Sequence, residues 1–123
     1  MLTVEGHPHA GQPLVLTECG GISYSEKETG SWGYSKARTA TELAKRYAEL
    51  MNALRAIPLF AGFCYTQFAD TYQETNGLLH SDRTPKVPLE QIRTATRGPH
   101  KYRDEVVERE WRERMLRYQK DNA

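Results

Sequence analysis

The sequence predicts an α/β fold in which parallel strands are joined by a crossover helix, the order of elements that a (β/α)8 (TIM) barrel requires. Two observations carry that prediction. The apolar run Pro13-Leu14-Val15-Leu16 passes directly into Thr17-Glu18-Cys19-Gly20-Gly21, and an amphipathic helical pattern separates it from a second, aromatic-rich run, Leu59 to Phe68. The first run is short and uniformly apolar, which reads as an interior strand of a parallel sheet with both faces covered. Two glycines behind it let the chain turn sharply. Glu18 is thereby left where a buried strand runs out, and in a barrel the strand ends are where chemistry sits. It is the candidate catalytic residue, although the same pentapeptide also fits a solvated glutamate ahead of a Gly-Gly turn.

After a loop holding Ser31-Trp32-Gly33-Tyr34, Thr39-Ala40-Thr41-Glu42 has the spacing of a capping box and marks a helix start. Leu43, Tyr47, Leu50, Met51, Leu54 and Ile57 recur at spacings of three and four, one apolar stripe opposite a charged face, and Pro58 ends the helix. The Leu59 to Phe68 strand, with Gly62 inside it, completes a crossover long enough for parallel pairing. Asn76-Gly77 is a turn signal, and Asp82 to Lys86 leads to a short helix near Leu89 to Thr96. Gly98-Pro99 breaks it. Beyond lies a narrow stripe, Tyr102, Val106, Trp111, Met115 and Tyr118, with Glu-before-Arg pairs at i,i+4 that contribute about 0.2–0.5 kcal/mol each. The expected organisation is therefore one unit over residues 1–98 and a C-terminal amphipathic helix as an extension over 99–123.

With 123 residues, 38% of them hydrophobic, and a formal charge of +1, the chain is one domain at most and carries no field that argues for nucleic acid. No stretch approaches the roughly 18 apolar residues of a membrane span. Met1 to Pro13 holds His, Gly and Pro where a signal peptide has an apolar core, so the expected location is cytoplasmic. Two parallel strands need cover on both faces and neighbours on both edges. The chain reads as a piece of something larger, begun as if cut in a loop, with self-association or the remainder of the fold as its expected partners. Cys19 and Cys64 read as small buried hydrophobes in a reducing compartment. A thiol nucleophile would want a nearby base, and His7, His9, His80 and His100 are not placed by sequence to serve. They lack ligand spacing too, so neither a metal nor a cofactor is expected.

Taken in order and at these separations, PLVLTECGGISY, SWGYS and AGFCYTQFADTYQETNGLLHSDRTPK resemble the C-terminal quarter of the catalytic barrel in glycoside hydrolase family 2, the family of β-galactosidases, β-glucuronidases and β-mannosidases. The resemblance spans roughly Gly11 to Arg97. It implies that the two strands and their helices are the last two β/α units of the barrel. It also implies a retaining glycosidase in which Glu18 matches the nucleophile at the end of the seventh strand. Retention needs two carboxyl groups about 5 to 5.5 Å apart, one attacking the anomeric carbon and one protonating the leaving oxygen. In the family the second is a glutamate far upstream, usually after an Asn, and this sequence has no Asn-Glu pair. Glu26, Glu28, Asp70 and Glu74 are the other acidic residues near the strand ends, and none is promoted to that role.

Carbohydrate is the expected substrate partner, because a sugar lays its apolar C–H face on an aromatic ring. Trp32, Tyr24, Tyr34 and Tyr65 are the candidate aromatic surface near the strand ends, Trp32 foremost and with Tyr24 beside it as a substrate contact, and Trp32 packing its loop onto the rim is the competing reading. Many family members carry a Trp around the positions of Thr66 and Gln67. Here Gln67 is expected to hydrogen-bond a sugar hydroxyl instead, and Asp70, in a Phe68-Ala69-Asp70 run found after the eighth strand of some members, is the remaining rim candidate. The expected function is that of a fragment of a retaining glycoside hydrolase acting on β-glycosides. A non-catalytic remnant or subunit piece, needing a partner chain to complete the barrel, is the alternative.

Overall fold

The computed structural model describes residues 5–26 and 32–98, together with Arg109, Glu113, Arg117 and Lys120. Its elements run β1 (Leu14–Gly20), β2 (Ile22–Ser23), β3 (Ser35–Lys36), α1 (Ala40–Ala56), β4 (Phe60–Thr66) and α2 (Leu89–Arg97). β1 pairs with β4 and β2 with β3, both in parallel, as two separate two-stranded sheets. The parallel pairing across a helical crossover is as the sequence predicts, and the fold is mixed α/β. Of the 99–123 extension only the four residues named above are described. They are helical and exposed, with Arg117 near Glu113 at 3.8 Å, and the rest lies outside the described residues.

The expected partial (β/α)8 barrel, its last two β/α units, is not what these residues form. Two helices and two small sheets are too few elements, and β1 and β4 have no neighbour but each other among the described strands. An interior barrel strand would also be covered on both faces. Here Val15 is 54% exposed, and Thr17 and Glu18 are exposed as well. The apolar run misleads because four consecutive hydrophobic residues show that a strand is buried somewhere, not on how many sides.

Thr39 starts α1, its hydroxyl accepting from the Glu42 N–H at 3.1 Å. The Glu42 carboxylate reaches one residue further back than a capping box requires, to the Arg38 N–H at 2.8 Å, and pairs with Arg46 at 2.7 Å. Leu43, Tyr47, Met51 and Leu54 are buried, while Ile57 caps the helix in extended backbone and is exposed. Tyr47, Met51 and Leu54 join Leu78 in one core cluster, against which Leu16, Cys19, Phe63 and Tyr65 of the sheet pack. Full burial of a side chain such as Met51 stabilises by about 1.5–3 kcal/mol. A second cluster, Ile22, Ala37, Leu43 and Val87, ties β2 to the start of α1 and the approach to α2. α2 leans on α1 through Tyr47 Oη and Thr96 Oγ1, 2.8 Å apart, and through Arg55, which donates to the carbonyls of Ala95 and Thr96 at the C-terminal end of α2. Cys19 is partly buried, whereas Cys64, expected inside, is exposed. Both are free thiols.

Candidate functional site

Glu18 is the fifth residue of β1, so its carboxylate sits within the strand and not beyond its end. Between the Leu16↔Phe63 and Cys19↔Tyr65 pairs β1 advances three residues while β4 advances two. The extra residue is a bulge, which interrupts the alternation of faces and re-aims side chains. Thr17 and Glu18 are consequently both exposed, although neighbours in a regular strand face opposite ways. Gly20 and Gly21 then turn the chain at φ +98° and +69°. A Cβ at Gly20 would strike the Tyr65 ring and one at Gly21 the Tyr34 ring, so the glycines are needed for backbone shape and for the rings beside them.

That turn brings Tyr34 to Glu18. The Tyr34 N–H donates to the Gly21 carbonyl at 2.9 Å, and its hydroxyl donates to Glu18 Oε1 at 3.3 Å. The charge of Glu18, the hydrogen bond to it and, more weakly, the charge of Glu74 push the Tyr34 phenol above its ordinary value of 10.0, so it stays protonated and remains a donor. Trp32 meets Tyr34 edge to face, ring centroids 5.1 Å apart at 63°. The pair is open to solvent, 47% and 66% exposed respectively. Exposed aromatic area of this kind marks a contact surface more often than a core.

The opposite rim is the segment after β4. Trp32 donates its N–H to the Gln73 carbonyl at 2.8 Å and accepts from the Thr75 N–H at 3.1 Å, which bridges Trp32 to Glu74. Gln67 Nε2 donates to Asn76 Oδ1 at 2.6 Å and, more weakly, to Glu74 Oε2 at 3.4 Å. Asn76 is fully buried, and its Nδ2 has no partner among the described residues. Beneath this rim Lys86 Nζ donates to Asp70 Oδ1, the Thr75 carbonyl and the Tyr24 carbonyl at 2.7, 2.7 and 2.8 Å. Burial holds the Lys86 ammonium below its ordinary value, and the Asp70 carboxylate works against that shift.

The structure thus gathers Glu18, Trp32 and, through Glu74, Gln67 around one open surface. Asp70 and Tyr24 lie in its support: Asp70 Oδ1 also accepts from the Gly77 N–H at 2.9 Å, and Tyr24 packs against the Ile22 cluster. Glu26 is exposed, and Glu28 lies outside the described residues. Tyr34, expected as aromatic surface, is also the hydrogen-bond partner of Glu18, a role sequence reasoning did not assign it, whereas Tyr65, expected at the same surface, packs instead against the Tyr47, Met51 and Leu54 cluster. Asn76 was read only as part of a turn and Lys86 only as part of the approach to a helix, and nothing local signalled the burial of either. A groove of about 690 Å³ between α1 and α2, lined by Ala44, Ala48, Asn52 and Ala95, involves none of these residues. Among the described residues no group of three or more His, Cys, Asp and Glu could hold a metal ion, and no helix is long and apolar enough to cross a membrane. Compared with known proteins, the chain matches no protein-family model and no curated protein.

Proposed function

We propose that this chain supplies a carbohydrate-binding surface and the nucleophile, Glu18, to a retaining glycoside hydrolase acting on β-glycosides. The observation that carries the reading is the Glu18 carboxylate, raised on a bulge, held by the Tyr34 hydroxyl and flanked by the exposed Trp32–Tyr34 ring pair. A sugar stacked on Trp32 would offer its hydroxyls to Glu74 and Gln67. Glu18 would attack the anomeric carbon as the leaving oxygen takes a proton from a second carboxyl group. Water would then displace Glu18, giving a proton back to that group. No residue is given the acid/base role here. The open sheet face at Val15, 54% exposed, favours a site completed by a partner chain, which is also how a non-catalytic subunit piece would use it.

An activated donor separates the nucleophile from the missing acid, because dinitrophenolate leaves without protonation. The full chain is incubated with 2,4-dinitrophenyl 2-deoxy-2-fluoro-β-glycosides of galactose, glucose and mannose, and its peptides are weighed. One glycosyl adduct on the Glu18 peptide, absent in Glu18→Gln, is expected with at least one sugar. No adduct, or one that survives the substitution, overturns the assignment. Ordinary nitrophenyl glycosides should show no measurable turnover, since one carboxylate cannot be both nucleophile and acid/base.

A further inference from the structure

The buried polar residues among those described are Ser23, Asn76 and Lys86, and only Lys86 carries a charge. Its side chain is wholly inaccessible, and its partner Asp70 is 11% exposed. An ammonium has three donors, and three acceptors from two stretches of chain meet it: the Tyr24 carbonyl after β2, and the Asp70 carboxylate and the Thr75 carbonyl in the segment after β4. Thr75 is the hub. Its carbonyl also accepts from the Tyr24 N–H at 2.9 Å, and its N–H donates to the Trp32 carbonyl at 3.1 Å.

We propose that Lys86 is a positioning residue for the site, fixing residues 70–77, and through Thr75 both Glu74 and Trp32, against the strand that carries Glu18. The proposal rests on the reading of Glu18 given above. Residues 67–87 contain no helix or strand beyond isolated bridges, so their backbone is placed by scattered backbone bonds, such as the Leu79 N–H to the Phe68 carbonyl at 3.0 Å, and by side-chain contacts like those of Lys86, not by a continuous ladder. Stability alone does not call for a charge there, because a buried ion pair is commonly matched or bettered by apolar side chains of similar volume. What an apolar side chain lacks is direction. Only a group with several donors can draw two carbonyls and a carboxylate to one point, and the Asp70 oxygen passes the constraint on to the Gly77 N–H. A Cβ at Gly77 would collide with the Ala69–Asp70 backbone, so the segment closes tightly on itself at that place.

The test compares the full chain with Lys86→Met/Asp70→Asn, which removes both charges, and with Met51→Ala, a core change in a cluster that holds none of Tyr24, Asp70, Thr75 and Lys86. The readouts are amide hydrogen exchange at Trp32 and Thr75, and the dinitrophenyl fluoroglycoside concentration giving half-maximal labelling of Glu18. In the double variant both amides should exchange about tenfold faster than in a Met51→Ala protein of equal melting temperature. Its half-labelling concentration should rise by about the same factor, with the maximal labelling rate changed less. Unchanged exchange at both amides, or the same acceleration in Met51→Ala, overturns the proposal. If the unsubstituted chain does not label at Glu18, the site reading fails by itself and the exchange data still decide whether Lys86 holds the segment. Should the double variant not fold, Asp70→Asn alone decides, with about threefold faster exchange expected at the same amides and unchanged exchange overturning the idea.

Discussion

On one side of Glu18, β1 and β4 are held by a parallel ladder and by the packing of Tyr47, Met51 and Leu54 from α1. On the other, residues 67–87 have no helix or strand and, beside the buried Ala69, Leu78, Leu79 and Val87, keep their place through isolated backbone bonds and the side chains of Lys86, Asp70, Gln67 and Asn76. The first arrangement is a sum of many small contacts and should weaken by degrees. The second adds to such contacts a few directional ones, each of which leaves a buried polar group stranded when its partner is removed. The site straddles the two, with Glu18 on the packed side and Glu74 on the hydrogen-bonded side.

The largest expected effect is therefore on the polar side. Lys86→Met strands Asp70 as a nearly buried anion and should cost about 3–5 kcal/mol in urea unfolding, most of it recovered when Asp70→Asn is added. A loss under 1 kcal/mol would mean that the rim is held some other way. Met51→Ala probes the packed side. Truncating a fully buried Met costs about 2–5 kcal/mol, and the lower end is expected because the partly exposed Leu50 and Phe63 can settle into the space. A cost above that of Lys86→Met would reverse the ranking of the two regions.

Alkaline pH probes both regions at once. Burial pushes the Tyr65 phenol well above its ordinary 10.0 and also raises Tyr47, against the opposing hydrogen bond from Thr96. Such a phenol stays protonated in the fold while its unfolded counterpart ionises. Its contribution is thus fully present below pH 10.0 and, above that, is lost by about 1.4 kcal/mol per pH unit for each group. Lys86 works in the opposite sense, since its lowered ammonium favours the fold more as pH rises towards 10.5. Melting temperature should then hold up to about pH 10 and fall beyond it. A Tyr65→Phe variant that falls just as steeply would show that Tyr65 contributes nothing to the loss.

How much of this was legible in the sequence follows the same division. The α1 stripe, its start at Thr39 and the parallel pairing of β1 with β4 are local or periodic features, and each was readable in advance. An exposed Glu18 was one of the readings, but the bulge that places it within β1 beside an equally exposed Thr17 was not, because it depends on the register between strands more than forty residues apart, Cys19 against Tyr65. Nor was the burial of Lys86. Its partners Tyr24, Asp70 and Thr75 are 62, 16 and 11 residues away, and a lysine ahead of a predicted helix looks like any solvated charge. The barrel expectation failed for a related reason: element order survives in a sequence, while the number of strands that flank a sheet does not.

The smallest effect expected is at the start of α1, where the packed side borrows a directional contact. Thr39 holds extended backbone at φ −139°, ψ 158° and caps the helix by accepting the Glu42 N–H at 3.1 Å. Thr39→Ala should cost about 1 kcal/mol. The loss stays small because Thr39 is exposed, so water can replace the lost oxygen, unlike at Lys86. The Glu42 carboxylate keeps the Arg38 N–H and Arg46 whatever stands at position 39, so the first turn is not released altogether. Thr39→Ser should restore the cap, and hydrogen exchange at Trp32 and Thr75 should not respond to either change. If Thr39→Ala were to quicken exchange at those two amides, α1 and the rim would be one cooperative unit, and the distinction between packed and hydrogen-bonded sides of the site would have to be given up.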